Sequence, residues 1–358
     1  MHGIQRFALT RFDVDLDRII GDSQVSTSCL SLGVLELEDG DGHVGTGFFH
    51  SVTEPLPSLG ALEELFRREL AEQIIGANPF AWVNRLTRPR GGRIRTSVFS
   101  PAVEQAMWDL QGQILGLPLY RLLGGERRTV PTYASGLEFH LTDQQVVEFY
   151  ARARGSGFSA FKVKVGHPDL AWDVRRLKLV QDTVGHECLL MADANEAWAP
   201  KEAIRRLHAF HDAGVPLYWI EDPCLRDDFE GLRLISQSVP LVLVNAGEYL
   251  NLSGKRELIE RRAADVLNVH GSICEAMKLA WLAAEHGVPI AVGNTNFEIG
   301  VHIAAALPEV AWLEYSFLSY NHLLETPIEF CDGYAMVPDR PGHGLRVADA
   351  ARELGQSR

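Results

Sequence analysis

The chain has 358 residues, 46% hydrophobic and 23% charged. That is enough for two domains or one barrel with an appended domain, and it excludes a small stapled scaffold, a collagen-like repeat and a disordered chain. With 34 Lys and Arg against 47 Asp and Glu the formal charge is −13, so neither nucleic acid nor an anionic membrane is expected as a partner. The N-terminal stretch has Asp13 and no apolar run before a small-residue cleavage site, and nowhere do 18 apolar residues run together. Cys29, Cys188, Cys224, Cys274 and Cys331 are scattered, with no CxxC. A cytoplasmic protein of a reducing compartment is expected.

Residues 1–57 alternate polar and apolar side chains as half-buried strands do, and the DGDG of SLGVLELEDGDGHVGTGFF reads as a turn between two strands. From about 59 to 124 the period becomes helical, in LGALEELFRRELAEQIIG and then SPAVEQAMWDLQGQILGLPLYRLLGG, which closes on glycines. An α+β domain over 1–125 is predicted. GDGHVG formally fits G-x-G-x-x-G, but it lies in a hairpin with no helix after it and is no dinucleotide site.

After Glu126, apolar runs alternate with helical segments. TVPTYASG, FSAFKVKVG, ECLLMADAN, PLYWIEDP, PLVLVNAGE, ADVLNVHG, PIAVGNT and AWLEYS are strand candidates. Strands apolar on both faces that alternate with helices make a parallel sheet covered by helices. Eight of them over 126–318 predict an α/β fold of the (β/α)8 TIM-barrel type. Residues 319–358 stop alternating; IEFCDGYAMV reads as a strand and DRPGHG as a loop, and this tail is expected to return to the first domain.

In such a barrel the chemistry sits at the C-terminal ends of the strands. The charged residues fall there: Lys162 and Lys164, Asp193 with Asn195, Glu221, Glu248, His270 and Glu314. Lys164, Asp193, Glu221 and Glu248 are spaced by 29, 28 and 27 residues, each one βα unit, which places Asp193, Glu221 and Glu248 in a common layer. Three converging carboxylates repel one another unless a cation sits between them, and an all-oxygen set suits Mg2+. Lys162 and Lys164 leave their strand on one face, about 6.5–7 Å apart. Their mutual repulsion makes one of them easier to deprotonate, a candidate base near neutral pH. A dication and a neutral amine together suit removal of the weakly acidic proton beside a carboxylate, through an enediolate.

FKVKVG, MADANEAW, YWIEDP, NAGE and WLEY, with the entry AVEQAMWDLQGQILGLPLYRLLGG, resemble the mandelate racemase subgroup of the enolase superfamily over nearly the whole chain. The resemblance implies a modified barrel under an N-terminal α+β capping domain. It implies Asp193, Glu221 and Glu248 as Mg2+ ligands; Asn195, two residues past Asp193, is a candidate to support them from behind. It further implies Lys164 as the α-proton base, Lys162 near the substrate carboxylate, Glu314 hydrogen-bonded to that carboxylate, and a homo-oligomer. The departures concern the second proton carrier. In mandelate racemase and many acid-sugar dehydratases an Asp on strand six orients a His after strand seven; here those places hold His270 and Asn294, and Asn294 cannot carry a proton. Strand six also lacks the lysine of the muconate-lactonizing subgroup.

Racemisation needs proton carriers on both faces of the α-carbon, whereas elimination of water needs one base and an acid for the leaving hydroxyl. The reading is therefore dehydration of a sugar acid, an aldonate or aldarate, to a 2-keto-3-deoxy acid, with His270 or solvent protonating the leaving group. Racemisation, epimerisation or cycloisomerisation with His270 as second base is the alternative, and a non-catalytic binding protein on the same scaffold is a further one. His50 and the segment around Asp22 lie where the family's capping loops reach over the pocket. Tyr133, Asn294, Glu138, Asn296 and His322 are further candidates to line it.

Overall fold

The computed structural model describes residues 3–51, 54–82, 97–270, 272–293, 297–316, 320–349 and 351, without the side chains of 14, 15, 17 and 297. Strands β1 (Ile4–Gly21), β2 (Ser26–Asp39) and β3 (Val44–Ser51) form an antiparallel sheet in the order β1-β2-β3. Asp39 closes the β2–β3 hairpin by accepting the backbone N–H of Asp41 and His43, both at 2.9 Å. Helix α1 (Leu59–Phe66) continues through one wide turn to Ile74. Helix α2 (Ser100–Leu115) then lies directly on β3. Gly45 and Gly47 make that approach possible: a Cβ on Gly47 would stand 1.8 Å from the Ala102 carbonyl oxygen. Leu35, Leu37, Phe49, Phe66, Phe99, Ala106 and Met107 fill the space between sheet and helices.

After the short α3 (Leu119–Leu122) the alternating part begins with β4 (Thr129–Ser135), α4 (Asp143–Gly155), β5 (Ala160–Lys164), α5 (Leu170–Val184) and β6 (Leu189–Asp193). It continues with α6 (Pro200–Asp212), β7 (Trp219–Glu221), α7 (Phe229–Ser238), β8 (Leu243–Ala246) and α8 (Leu252–Glu260). It ends with β9 (Val266–Val269), α9 (Ile273–His286), β10 (Ile290–Val292), α10 (Phe297–Ala306) and β11 (Val310–Ser316). Strands β4 to β11 pair in parallel in chain order, and β11 pairs back onto β4, so the barrel is closed. Each coincides with one of the eight apolar runs. Helix starts follow local chemistry. Thr142 and Gln145 form a reciprocal cap on α4, and Asp169, Asp228, Asn251 and Ser272 cap α5, α7, α8 and α9.

The tail packs on the first domain and also adds to the barrel sheet. Strands β12 (Phe330–Cys331) and β13 (Tyr334–Met336) form a hairpin that pairs antiparallel with β4, extending the barrel sheet. The chain touches the first domain before it, where Tyr320 and Leu323 pack against the cluster of Phe12, Leu32 and Val34, and again beyond it. There His343 N–H donates to Asp109 at 2.8 Å, its ring contacts the Thr46 carbonyl at 2.7 Å, and Val347 joins Phe12, Leu32 and Val34. Strand β13 pairs with Thr129–Pro131 of β4, at the bottom of the barrel, below the stretch Thr132–Ser135 that β11 covers. Among the described residues no helix is long and apolar enough to cross a membrane.

Candidate active site

The barrel interior is layered. Ala160, Met191, Trp219, Val266 and Ala291 with Tyr133 form an apolar floor. Strand alternation puts the next inward residues above them, and these are polar: Lys162, Asp193, Glu221, Asn245, Asn268 and Glu314, all 2% exposed or less. Lys164 follows on β5, above Lys162.

The ammonium of Lys162 lies 2.8 Å from Glu221, 3.0 Å from Glu314 and 3.4 Å from Asp193. That of Lys164 lies 2.5 Å from Asp193 and donates to Asn195 Oδ1 at 2.9 Å. Asn195 N–H in turn donates to Asp193 at 3.0 Å. Glu221 also accepts from Asn245 Nδ2 at 3.1 Å and Asn268 Nδ2 at 2.9 Å. Asn245 and Asn268 went unremarked in the sequence, although each interrupts an apolar run with an inward-facing amide, and Asn268 shares its strand face with His270.

Register corrects the spacing argument. Lys164 pairs with Asp193 and Asp193 with Glu221, but Glu221 pairs with Asn245. Glu248 lies past the end of β8, in the loop, where its carboxylate stands 3.1 Å from His270 Nε2. A Cβ on Gly293 would lie 2.0 Å from that imidazole nitrogen, so glycine at the end of β10 makes the room His270 occupies.

The titration behaviour also differs from the expectation. Burial lowers both lysines, but the surrounding carboxylates outweigh it and hold both above the ordinary lysine value; Lys162 repels Lys164 less strongly than Asp193 attracts it. The mutual repulsion of the pair is thus a lesser influence. Burial, then the charge of Asp193, pushes Glu248 up to about 7. Burial also raises Glu221, with Asp193 adding to it against Lys162. Burial, then Lys162, lowers His270 to about 3, which leaves its imidazole neutral.

Asn195, Glu196 and Asp222 have positive φ angles of 46°, 65° and 37°, a left-handed conformation costing about 1–3 kcal/mol per non-glycine residue. Asn195 and Glu196 lie two and three residues past Asp193, and Asp222 directly follows Glu221, so strain is concentrated behind these carboxylates.

The other candidates divide. Tyr133 belongs to the floor, edge-on to Trp219 with its ring 5.6 Å below the Lys162 ammonium, a layer deeper than a substrate-lining position. Glu138 accepts the Lys164 backbone N–H at 2.5 Å and is raised chiefly by burial. His50 lines a cavity with Leu32, Phe48, Gln105, Glu298 and Tyr320, and burial lowers its imidazole. The turn at Asp22 spans the mouth: Gly21 N–H donates to the Leu137 carbonyl at 2.7 Å, and the Gln24 amide reaches the Asn195 carbonyl. His322 is exposed. Asn294 and Asn296 lie outside the described residues.

Among the described residues no three acidic or imidazole groups stand around one point at ligand distance; the Lys162 ammonium stands between Asp193 and Glu221. The donor chemistry nevertheless fits Mg2+. It consists of the buried carboxylates of Asp193 and Glu221 and the partly buried one of Glu248, whose charges oppose one another, and beside Glu221 the buried Oδ1 atoms of Asn245 and Asn268 have no hydrogen-bond partner.

Fold and mouth together define a capped, closed parallel barrel with its ionisable groups at the C-terminal strand ends. The signature "Enolase C-terminal domain-like" matches residues 145–351, and "Mandelate racemase / muconate lactonizing enzyme, N-terminal domain" matches 20–124. The chain therefore belongs to the enolase superfamily, in its mandelate racemase and muconate lactonizing enzyme group. It is similar to L-talarate/galactarate dehydratase of Salmonella typhimurium, at 29% identity over 95% of this chain and 86% of that one. It is also similar to 3,6-anhydro-alpha-L-galactonate cycloisomerase of Streptomyces coelicolor, at 30% over 87% of each. L-Ala-D/L-Glu epimerase of Bacillus subtilis is 28% identical over 68% of this chain and 69% of its own. Among solved structures, a Mesorhizobium loti protein provisionally called a mandelate racemase superposes with a TM-score of 0.93, at 48% identity over 98% of this chain and 94% of that one. The Salmonella dehydratase, solved with Mg and L-lyxarohydroxamate, superposes with a TM-score of 0.84, at 28% identity over 98% and 92%. These relatives include dehydratases, epimerases and cycloisomerases, and structural neighbours hold magnesium.

Proposed function

We propose that this protein is a Mg2+-dependent enzyme that removes the α-proton of a small carboxylate, and that its reaction is dehydration of an aldonate or aldarate to a 2-keto-3-deoxy acid. The observation that carries this reading is the charged layer itself, in which two buried lysines and the carboxylates of Asp193, Glu221 and Glu314 meet within 3.4 Å or less. Asp193, Glu221 and Glu248 would hold the ion. When bound, Mg2+ would offset the carboxylate charges that keep the lysines protonated, and would stabilise negative charge building on the substrate carboxylate.

Lys164 Nζ takes the α-proton. Lys162 and Glu314, 3.0 Å apart, flank the substrate carboxylate, the first donating to it and fixing its orientation. The β-hydroxyl leaves as water after receiving one proton. A hydroxyl on the Lys164 face can receive the proton that Lys164 has just gained, and one on the opposite face needs a donor at His270 or from solvent. The substrate closes in beneath the turn at Asp22 and beside His50.

A second reading draws support from the place of His270, whose imidazole stands at the mouth 3.1 Å from Glu248, so epimerisation with Lys164 and His270 as paired carriers is the alternative. Incubation with Mg2+ and a panel of aldonic and aldaric acids, followed by a 2-keto acid assay, tests the first reading. Metal-dependent keto acid that is lost in Lys164→Ala supports it. Exchange of the α-proton in heavy water without keto acid transfers the assignment to epimerisation, and neither product nor exchange from any acid in the panel overturns both.

A further inference from the structure

The layer at β5, β6 and β7 is held by strand pairing, but the acidic residue following β8 is not. Glu248 lies beyond Ala246, in a loop that begins at Gly247 with a φ of 112°. What places it must come from contacts of the loops.

Three loops meet at the rim. Glu196, three residues past Asp193, accepts the Arg226 backbone N–H at 2.7 Å and Nε at 2.6 Å on one oxygen, and Nη2 on the other. Arg226 belongs to the loop after Glu221, and its guanidinium lies 4.5 Å from the centroid of the Tyr249 ring. Tyr249 adjoins Glu248, is 61% exposed, and has its ring 6.1 Å from that of His270, so the guanidinium and the imidazole both bear on the residue next to Glu248. A bidentate fork is a contact that a planar guanidinium makes and an ammonium does not. Glu196 itself is in the left-handed region and donates its N–H to the Asp222 carbonyl at 2.7 Å, so the clasp also bears on the two strained turns behind Asp193 and Glu221.

We propose that Arg226 is a positioning residue that gathers the loops carrying Asp193, Glu221 and Glu248 through Glu196 and Tyr249, and so sets the affinity for Mg2+. This rests on the ligand assignment proposed above. Partners outside the direct ligands of an ion typically contribute 10–100-fold to its affinity.

The test is calorimetric titration of the full chain with MgCl2, alongside thermal unfolding without metal. Arg226→Met and Glu196→Gln are each expected to weaken Mg2+ binding about 10–100-fold with little change in the metal-free melting temperature, since partly exposed ion pairs add little to folding stability. Arg226→Lys, which keeps the charge and gives up the fork, is expected to fall between Arg226→Met and the parent. If both Arg226→Met and Glu196→Gln bind Mg2+ within twofold of the parent while Asp193→Asn loses it, the ligand assignment stands and the role of Arg226 is overturned. A lowered melting temperature with unchanged affinity marks the clasp as structural only, and overturns it equally. A parent chain that binds no Mg2+ at millimolar concentration overturns the ligand assignment, and the proposal with it.

Discussion

Two residues along the same strands separate two unlike interiors. Ala160, Met191 and Trp219 form the floor, and Lys162, Asp193 and Glu221, the next inward positions, form the charged layer. Both layers are almost completely shielded from water, so burial does not distinguish them. The floor is held by dispersion and exclusion of water. The charged layer persists because each ion has partners, and removing one partner leaves another charge buried and uncompensated. The same scaffold thus carries a part that stabilises the fold and, directly above it, a part kept for chemistry.

The sharpest way to separate them is Lys164→Ala, which is expected to lower turnover by about 10²–10⁴-fold, the range for loss of a general base, in the 2-keto acid assay. Trp219→Ala acts on the floor instead. It should cost about 3–5 kcal/mol of stability, read by chemical denaturation, and a variant that stays folded at 25 °C should keep its Mg2+ affinity. A stable Trp219→Ala with lost Mg2+ binding would show that the two layers are not separable.

A smaller effect concerns pH. Glu248 is raised to about 7 in the fold from an ordinary 4.5. The folded metal-free protein therefore holds that proton more tightly than the unfolded chain, and this group's contribution to stability falls as pH rises from about 4.5 to 7. His270, lowered to about 3, contributes in the opposite direction as pH rises toward 6.5, so the parent curve alone mixes the two. The difference between Glu248→Gln and the parent isolates the carboxylate. Measured by denaturation without metal, it should move in favour of the variant between pH 4.5 and 7 and level off above. A flat difference would mean that Glu248 ionises freely. Smallest is Asn268→Ala, which withdraws one donor from Glu221 at a cost of about 1–3 kcal/mol, measured in the same way.

Much of this was legible along the chain. The eight strands of the barrel, the antiparallel sheet and helices of the first domain, and the acidic and basic residues at strand ends all follow from period and from the residue that ends each apolar run. Those signals lie within a few residues of one another. The tail was read only in part, because IEFCDGYAMV has the composition of a strand but nothing local says which edge it joins; β4 is about two hundred residues away. Tyr133 was a candidate to line the pocket, yet its ring packs edge-on to Trp219 in the floor, beneath Lys162.

Amino-acid order alone therefore determined the succession of elements and the chemical types at the barrel mouth, since alternation and capping depend on neighbours in the chain. Tertiary structure decided the depth of each side chain and the charge it carries. Asn245 replaces Glu248 in the layer because strand stagger sets the pairing, and Lys164 stays protonated because Asp193, from the next strand, outweighs Lys162 two residues away. Depth and charge depend on the distances between strands and on the fields of groups they bring together, and neither is written in the spacing of residues along one strand.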